Sequence, residues 1–202
     1  VSLDTRRVPS SPHRPISPQA AWTSHRTAAA LLAAWIGCIF MAAISAPLSF
    51  RAVDSLMGSP PELLATALKN LGPVTVYEVL RLMAGEANRL LFQTVGWLQI
   101  GFAAAVFLLV VFFTNLRKSG VILASLLLAG SLAIGLALIP AIAEAGRVIQ
   151  ASAAARAGGA DRFRALHLAF TAFEGTLVVL SLLLLVELLR RSRLSSRSSG
   201  ST

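Results

Sequence analysis

The chain has 202 residues, 55% of them hydrophobic and only 13% charged, with a mean hydropathy of +0.72. A water-soluble domain of this length has no need of so apolar a composition. The formal net charge of +9 sits in scattered clusters with no aromatic residues interleaved, which argues against nucleic-acid binding. The single cysteine, Cys38, rules out an intrachain disulfide and a multi-cysteine metal site.

Residues 1–26 form a Pro-, Ser- and Arg-rich segment, a composition that predicts an extended tail, with Trp22 suited to anchoring at a membrane interface. Four uncharged or nearly uncharged runs follow, at about 27–50, 90–116, 119–143 and 165–186. Each is longer than the ~20 residues a helix needs to cross a hydrocarbon core of ~30 Å. They are rich in Leu and Ala and lack two-residue alternation, so they read as helices rather than strands. The predicted fold is all-α: an integral membrane four-helix bundle over 27–190, with a Ser- and Arg-rich tail over 191–202.

In the first run, Gly37 lies among small residues that permit close helix contact, and Pro47 is expected to kink or end the helix. The run is too long for the apolar core of a signal peptide. The loop after it is patterned. In "SPPELLATALKNLGP", Ser59 can cap, Glu62 suits a first turn and Gly72–Pro73 stops the helix. "TVYE" at 75–78 has capping-box spacing, and an apolar stripe from Val76 to Ala87 leads into the second run. A short amphipathic external helix, then an external extension of the second span, is the expected arrangement. The third run carries Gly120, Gly130, Gly135 and Pro140, and the Ala- and Gly-rich segment after it has no predicted fold of its own.

Charge sets the expected orientation. Arg6, Arg7, Arg14 and Arg26 precede the first run, Arg117 and Lys118 separate the second from the third, and Arg190, Arg191, Arg193 and Arg197 follow the fourth. The first loop balances Arg51, Lys69, Arg81 and Arg89 against Asp54, Glu62, Glu78 and Glu86. Excess Lys and Arg marks the cytoplasmic side, so both termini are expected inside a bacterial cytoplasmic membrane, with the basic residues touching anionic lipid headgroups.

No nucleophile-elbow, P-loop, dinucleotide-binding or zinc-protease pattern is present, so no enzyme activity is predicted. His13 and His25 are on the opposite side from His167, which removes a two-histidine haem. Ligation of a pigment or metal by His167 alone is the weaker reading of that residue beside an ordinary hydrogen-bonded helix start, and no cofactor is predicted. The sharpest signal is "RALHLAFTAFEG" (164–175), where His167, Thr171 and Glu174 fall at i, i+4 and i+7 on one helical face. An ionisable residue within a span is a functional candidate by default. Gln99, Arg89, Glu144 and Arg147 belong to the same outer half, and together these seven residues define an expected polar pocket. The other outcome is that they only hydrogen-bond between helices.

Two stretches resemble the bacterial membrane family known as domain of unknown function 4149, akin to the transmembrane-protein-205 group. In "AAWIGCIFMAAISAPLSFRAV" (33–53), Trp35, Gly37, Pro47 and Phe50 match its opening. Phe163, Leu166, His167 and Thr171 match the start of its fourth helix, with Glu174 where the family has Asn, and "LIPAI" (138–142) is similar to the end of its third. The resemblance covers about residues 27–190; it implies a four-helix membrane protein and supplies no activity. The expected function is a non-catalytic accessory or structural subunit of a larger membrane complex, respiratory or photosynthetic hosts being one kind, with protein partners and lipid around it. The alternative is a small transporter or proton-linked binding protein that uses the polar pocket.

Overall fold

The computed structural model describes residues 18–198, apart from Asn115 and Ser152; the expectation of an extended tail over 1–17 lies outside them. The described residues are helical almost throughout. The helices are α1 (Pro18–Gly58), α2 (Glu62–Leu71), α3 (Pro73–Phe113), α4 (Lys118–Ala133), α5 (Ile139–Ala151) and α6 (Ala153–Ser198). A π-helical turn, Ile134–Leu138, joins α4 to α5, so the pair acts as one span. Four segments are long and apolar enough to cross a membrane: Gln19–Gly58, Pro73–Phe113, Lys118–Ile149 and Gly158–Arg190. The chain is a multi-pass membrane protein built as an all-α four-helix bundle.

Neighbours in sequence are antiparallel. Asn88 reaches Ala46 and Ser49, and Tyr77 reaches Asp54, which fixes the α1–α3 register. Ser119 bonds Glu187 on α6, and further along Gly130 lies against Leu177 and Gly146 against Phe163. Around the bundle the order is α1, α3, α4–α5, α6 and back to α1, so α3 and α6 face each other only across a diagonal.

Each of the four spans presents a seam of buried residues spaced alternately three and four apart. They are His25, Ala28, Leu32 and Trp35 on α1; Gly96, Gln99, Ala103, Val106 and Val110 on α3; Gly120, Ala124, Leu127, Ser131 and Ile134 through α4; and Glu174, Leu177, Ser181, Leu184 and Leu188 on α6. This is the 3.5-residue repeat that keeps one stripe facing partners along a bundle. Leucines lie on both sides of each helix, so hydrophobicity alone does not choose the inner face; small residues and polar groups do. At the α3 crossing with the π turn, a Cβ built on Gly96 would come within 2.6 Å of Ile139 Cδ1, and one on Gly135 within 2.7 Å of Ile100 Cδ1. Glycine is what lets the two helices approach there.

Several expectations are corrected. Pro47 does not end α1, which runs on to Gly58. Asn88 Nδ2 donates to the Ala46 carbonyl at 3.0 Å and to Ser49 Oγ at 2.8 Å, and Ser49 Oγ donates to the same carbonyl, so polar support surrounds the proline. The Thr75–Glu78 box does not start a helix. α3 begins two residues earlier, with Pro73 in its first turn and Gly72 in the left-handed region at φ 83°, and Ser59 is likewise not the cap of α2. The Ala-rich third loop is helical on both sides of Ser152, because alanine has the highest helix propensity and nothing before that residue breaks the pattern. The helix start at Pro18 and its end at Ser198 also take helical structure into both basic flanks. The π turn was not anticipated. Pro140 cannot donate to a carbonyl four residues back, and Ile139 N–H bonds Ile134 O, five residues back, just before it.

The seam can be tested directly. Leu184 is fully buried and Leu183 is about half exposed. Leu184→Ala should cost about 2 kcal/mol or more in detergent unfolding, and Leu183→Ala, on the lipid-facing side, should change stability by less than about 0.5 kcal/mol.

Candidate functional site

The seven residues expected to form one pocket separate into distinct places. Glu144 and Arg147 are exposed and pair with each other at 3.1 Å, one turn apart on α5. Arg89 donates to Glu86 on its own helix at 2.7 Å. Arg147 is near enough to Glu86 to act on it electrostatically, so these four charges form a rim where the spans leave the apolar zone. His167 and Thr171 are exposed, contrary to the expected pocket. The His167 ring stacks between Phe163 and Phe170 of its own helix, and Thr171 Oγ1 donates to the His167 carbonyl at 3.0 Å. Spacing alone put them on the same face as Glu174, and that still holds. What changes is the surroundings: between Gly158 and Phe173 the half-buried stripe of α6 runs through Phe163, Leu166 and Phe170, against α5 and Phe92 of α3, and His167 and Thr171 lie beside it.

Only Gln99 and Glu174 come together. Gln99 is 1% exposed and Glu174 is 9% exposed, and Gln99 Nε2 donates to Glu174 Oε2 at 3.4 Å across the bundle diagonal. Side chains of this length are needed, since the α3 and α6 backbones do not meet. Glu174 lies ten residues from Arg164 and thirteen from Glu187, or roughly 15 and 20 Å along a helix. The pair therefore occupies the middle of the span, and toward Gly158 the contacts of α6 are half-buried.

That layer includes a residue that entered the sequence reading only through the family resemblance, Trp35. The α1–α3 register carries Trp35 level with Gln99, and the Trp35 indole is 1% exposed. Trp35 Nε1–H and Gln99 Oε1 are both buried without a hydrogen-bond partner among the described residues. Asn88 was also missed as a polar contact. Its signal was present in the sequence as a position one turn from Ala84 on the seam of α3, opposite the only proline in α1 beyond its first residue.

No donor set for a metal emerges: among the described residues no three His, Cys, Asp or Glu side chains gather. Two shallow grooves are present. One, of about 250 Å³, is lined by Ala133, Ile134, Ala137, Leu138 and Phe173; the other, of about 310 Å³, by Ala145, Val148, Gly158, Gly159 and Arg162. Neither is lined by a residue of the expected pocket. The fold and this site define a four-helix membrane protein with one polar layer at mid-depth. No protein-family model matches the chain, and no curated protein or solved structure matches it either, so the family resemblance rests on its motifs alone.

A double-mutant cycle on Gln99→Leu and Glu174→Leu should show a coupling of order 1 kcal/mol in detergent unfolding. His167→Ala and Glu144→Ala should each fall within about 0.5 kcal/mol of the parent chain.

Proposed function

We propose that the chain is a non-catalytic integral membrane protein that serves as an accessory or structural subunit of a larger membrane assembly. The observation that carries this reading is a stalk with uncovered apolar faces. Beyond Arg89, α3 continues without a break for sixteen residues back to Pro73, about 24 Å at 1.5 Å per residue. Its partner is the end of α1, held by Tyr77 Oη donating to Asp54 at 3.3 Å and Arg81 donating to Tyr77 Oη at 2.9 Å, with the Arg81 guanidinium over Phe50.

Headgroups extend only ~5–8 Å beyond the hydrocarbon on each side. Val79 and Met83 on α3, Val74 at its start, and Leu63 and Leu71 on α2 are nevertheless exposed, and α2 buries none of its residues. Apolar side chains held that far from lipid fit a protein surface. The outward stripe of α3 continues from Met83 and Val79 into Leu90 and Trp97 within the span, so one partner can follow it from membrane to stalk. The scattered basic clusters favour a bacterial cytoplasmic membrane with both termini inside, which puts the stalk outside the cell membrane. A second reading, a small transporter or proton-linked binding protein, draws on the Gln99–Glu174 pair alone.

Mild-detergent purification followed by native mass spectrometry should recover a stoichiometric partner. The Val79→Glu, Met83→Glu double variant should lose that partner yet remain folded and membrane-inserted. A lone monomer from the parent chain, with uptake or ligand binding that Glu174→Gln abolishes, supports the second reading instead.

A further inference from the structure

The Gln99–Glu174 pair leaves one account unbalanced. As the bond stands, the amide donates from Nε2 and the carboxyl accepts at Oε2. The other half of the same amide, Gln99 Oε1, is a buried acceptor with no donor. An ionised carboxyl group cannot supply one, because it only accepts; a neutral carboxylic acid has one O–H to give. No cation offers an alternative. The ion pairs among the described residues are Glu86–Arg89, Glu144–Arg147 and Asp161–Arg164, each within one helix at the outer end. Around Glu174 the layer presents Trp35 from α1, Gln99 from α3, Ser131 from α4 and Ile134 from the π turn, none of which carries charge, and Ser131 Oγ already donates to the Leu127 carbonyl. An unpaired charge at mid-depth in hydrocarbon is expensive, whereas an acid–amide pair that donates and accepts on both sides is not.

We infer that Glu174 is a proton-binding site at the centre of the bundle, its carboxyl group carrying a proton at neutral pH and donating it to Gln99 Oε1. The proton comes from water and no other group is consumed. Both side chains then give one hydrogen bond and receive one without any charge, and Trp35 Nε1–H is left as the unpartnered donor of the layer. The inference is independent of the subunit reading.

Infrared difference spectra of the full chain in lipid at pH 7, parent minus Glu174→Gln, test it. The expected result is a neutral-acid C=O band that is present in the parent, shifts in heavy water and is absent from the variant; the remaining carboxylates at the surface stay ionised and cancel. In Gln99→Leu the band should persist but move to higher frequency, since its O–H loses its acceptor. A difference spectrum with carboxylate bands only overturns the inference and leaves Trp35 Nε1–H as the donor to Gln99 Oε1. A neutral-acid band that Gln99→Leu does not move overturns the assigned acceptor. Because Glu174→Gln is isosteric, size exclusion and helical circular dichroism matching the parent establish that the comparison is between folded proteins.

Discussion

A carboxyl group and a carboxamide cannot face hydrocarbon, and at mid-span Glu174 and Gln99 have nowhere else to turn but inward. Their bond across the diagonal sets the rotation of α6 and α3 together. Once Glu174 faces the axis, Leu177, Ser181, Leu184 and Leu188 follow on the same stripe, and once Gln99 does, so do Ala103, Val106 and Val110. Lipid solvates leucine as well as another helix does, so this polar contact carries orienting information that apolar surface cannot.

The small residues then decide how close the helices come. Gly96 and Gly135 let α3 pass against the π turn, and Ser131 and Ser181 satisfy their hydroxyls on their own helices at 2.7 Å without spreading the core. Beyond Glu174, α6 keeps half-buried contacts with α5, and α1 and α3 continue as a separate pair, clamped first by Asn88 at Pro47 and then by Asp54, Tyr77 and Arg81. The molecule is thus a closed bundle on one side of the polar layer and two helix pairs, the α1–α3 stalk and the α5–α6 hairpin, on the other. The docking surface we propose belongs to the stalk, where Val74, Val79 and Met83 on α3 and Leu63 and Leu71 on α2 stay exposed.

Much of the fold was legible because hydropathy and charge act over whole segments. The four spans, the short amphipathic helix at 62–71 and its stop at Gly72–Pro73 all follow from such patterns. Single-residue effects were less legible. Pro47 reads as a break until Asn88 and Ser49 are known to stand beside it, and the π turn depends on Pro140 acting one residue after Ile139. The candidate site was half legible. Helical periodicity correctly placed His167, Thr171 and Glu174 on one face, but it could not tell that the covered stripe shifts from Glu174 to Phe170, Leu166 and Phe163. Gln99 was named among many polar residues, and nothing in a linear sequence singles out the one partner that lies across a diagonal.

The diagonal contact is therefore the feature to measure. Solid-state dipolar recoupling between a 15N-labelled Gln99 side chain and the 13C-labelled Glu174 carboxyl carbon, in lipid, reads it without perturbing the chain. Strong dephasing, as expected for a nitrogen 3.4 Å from a carboxyl oxygen, is the predicted result. No dephasing would place the two groups on different faces and contradict the helix rotations on which the seam, the glycine crossing and the stalk all depend.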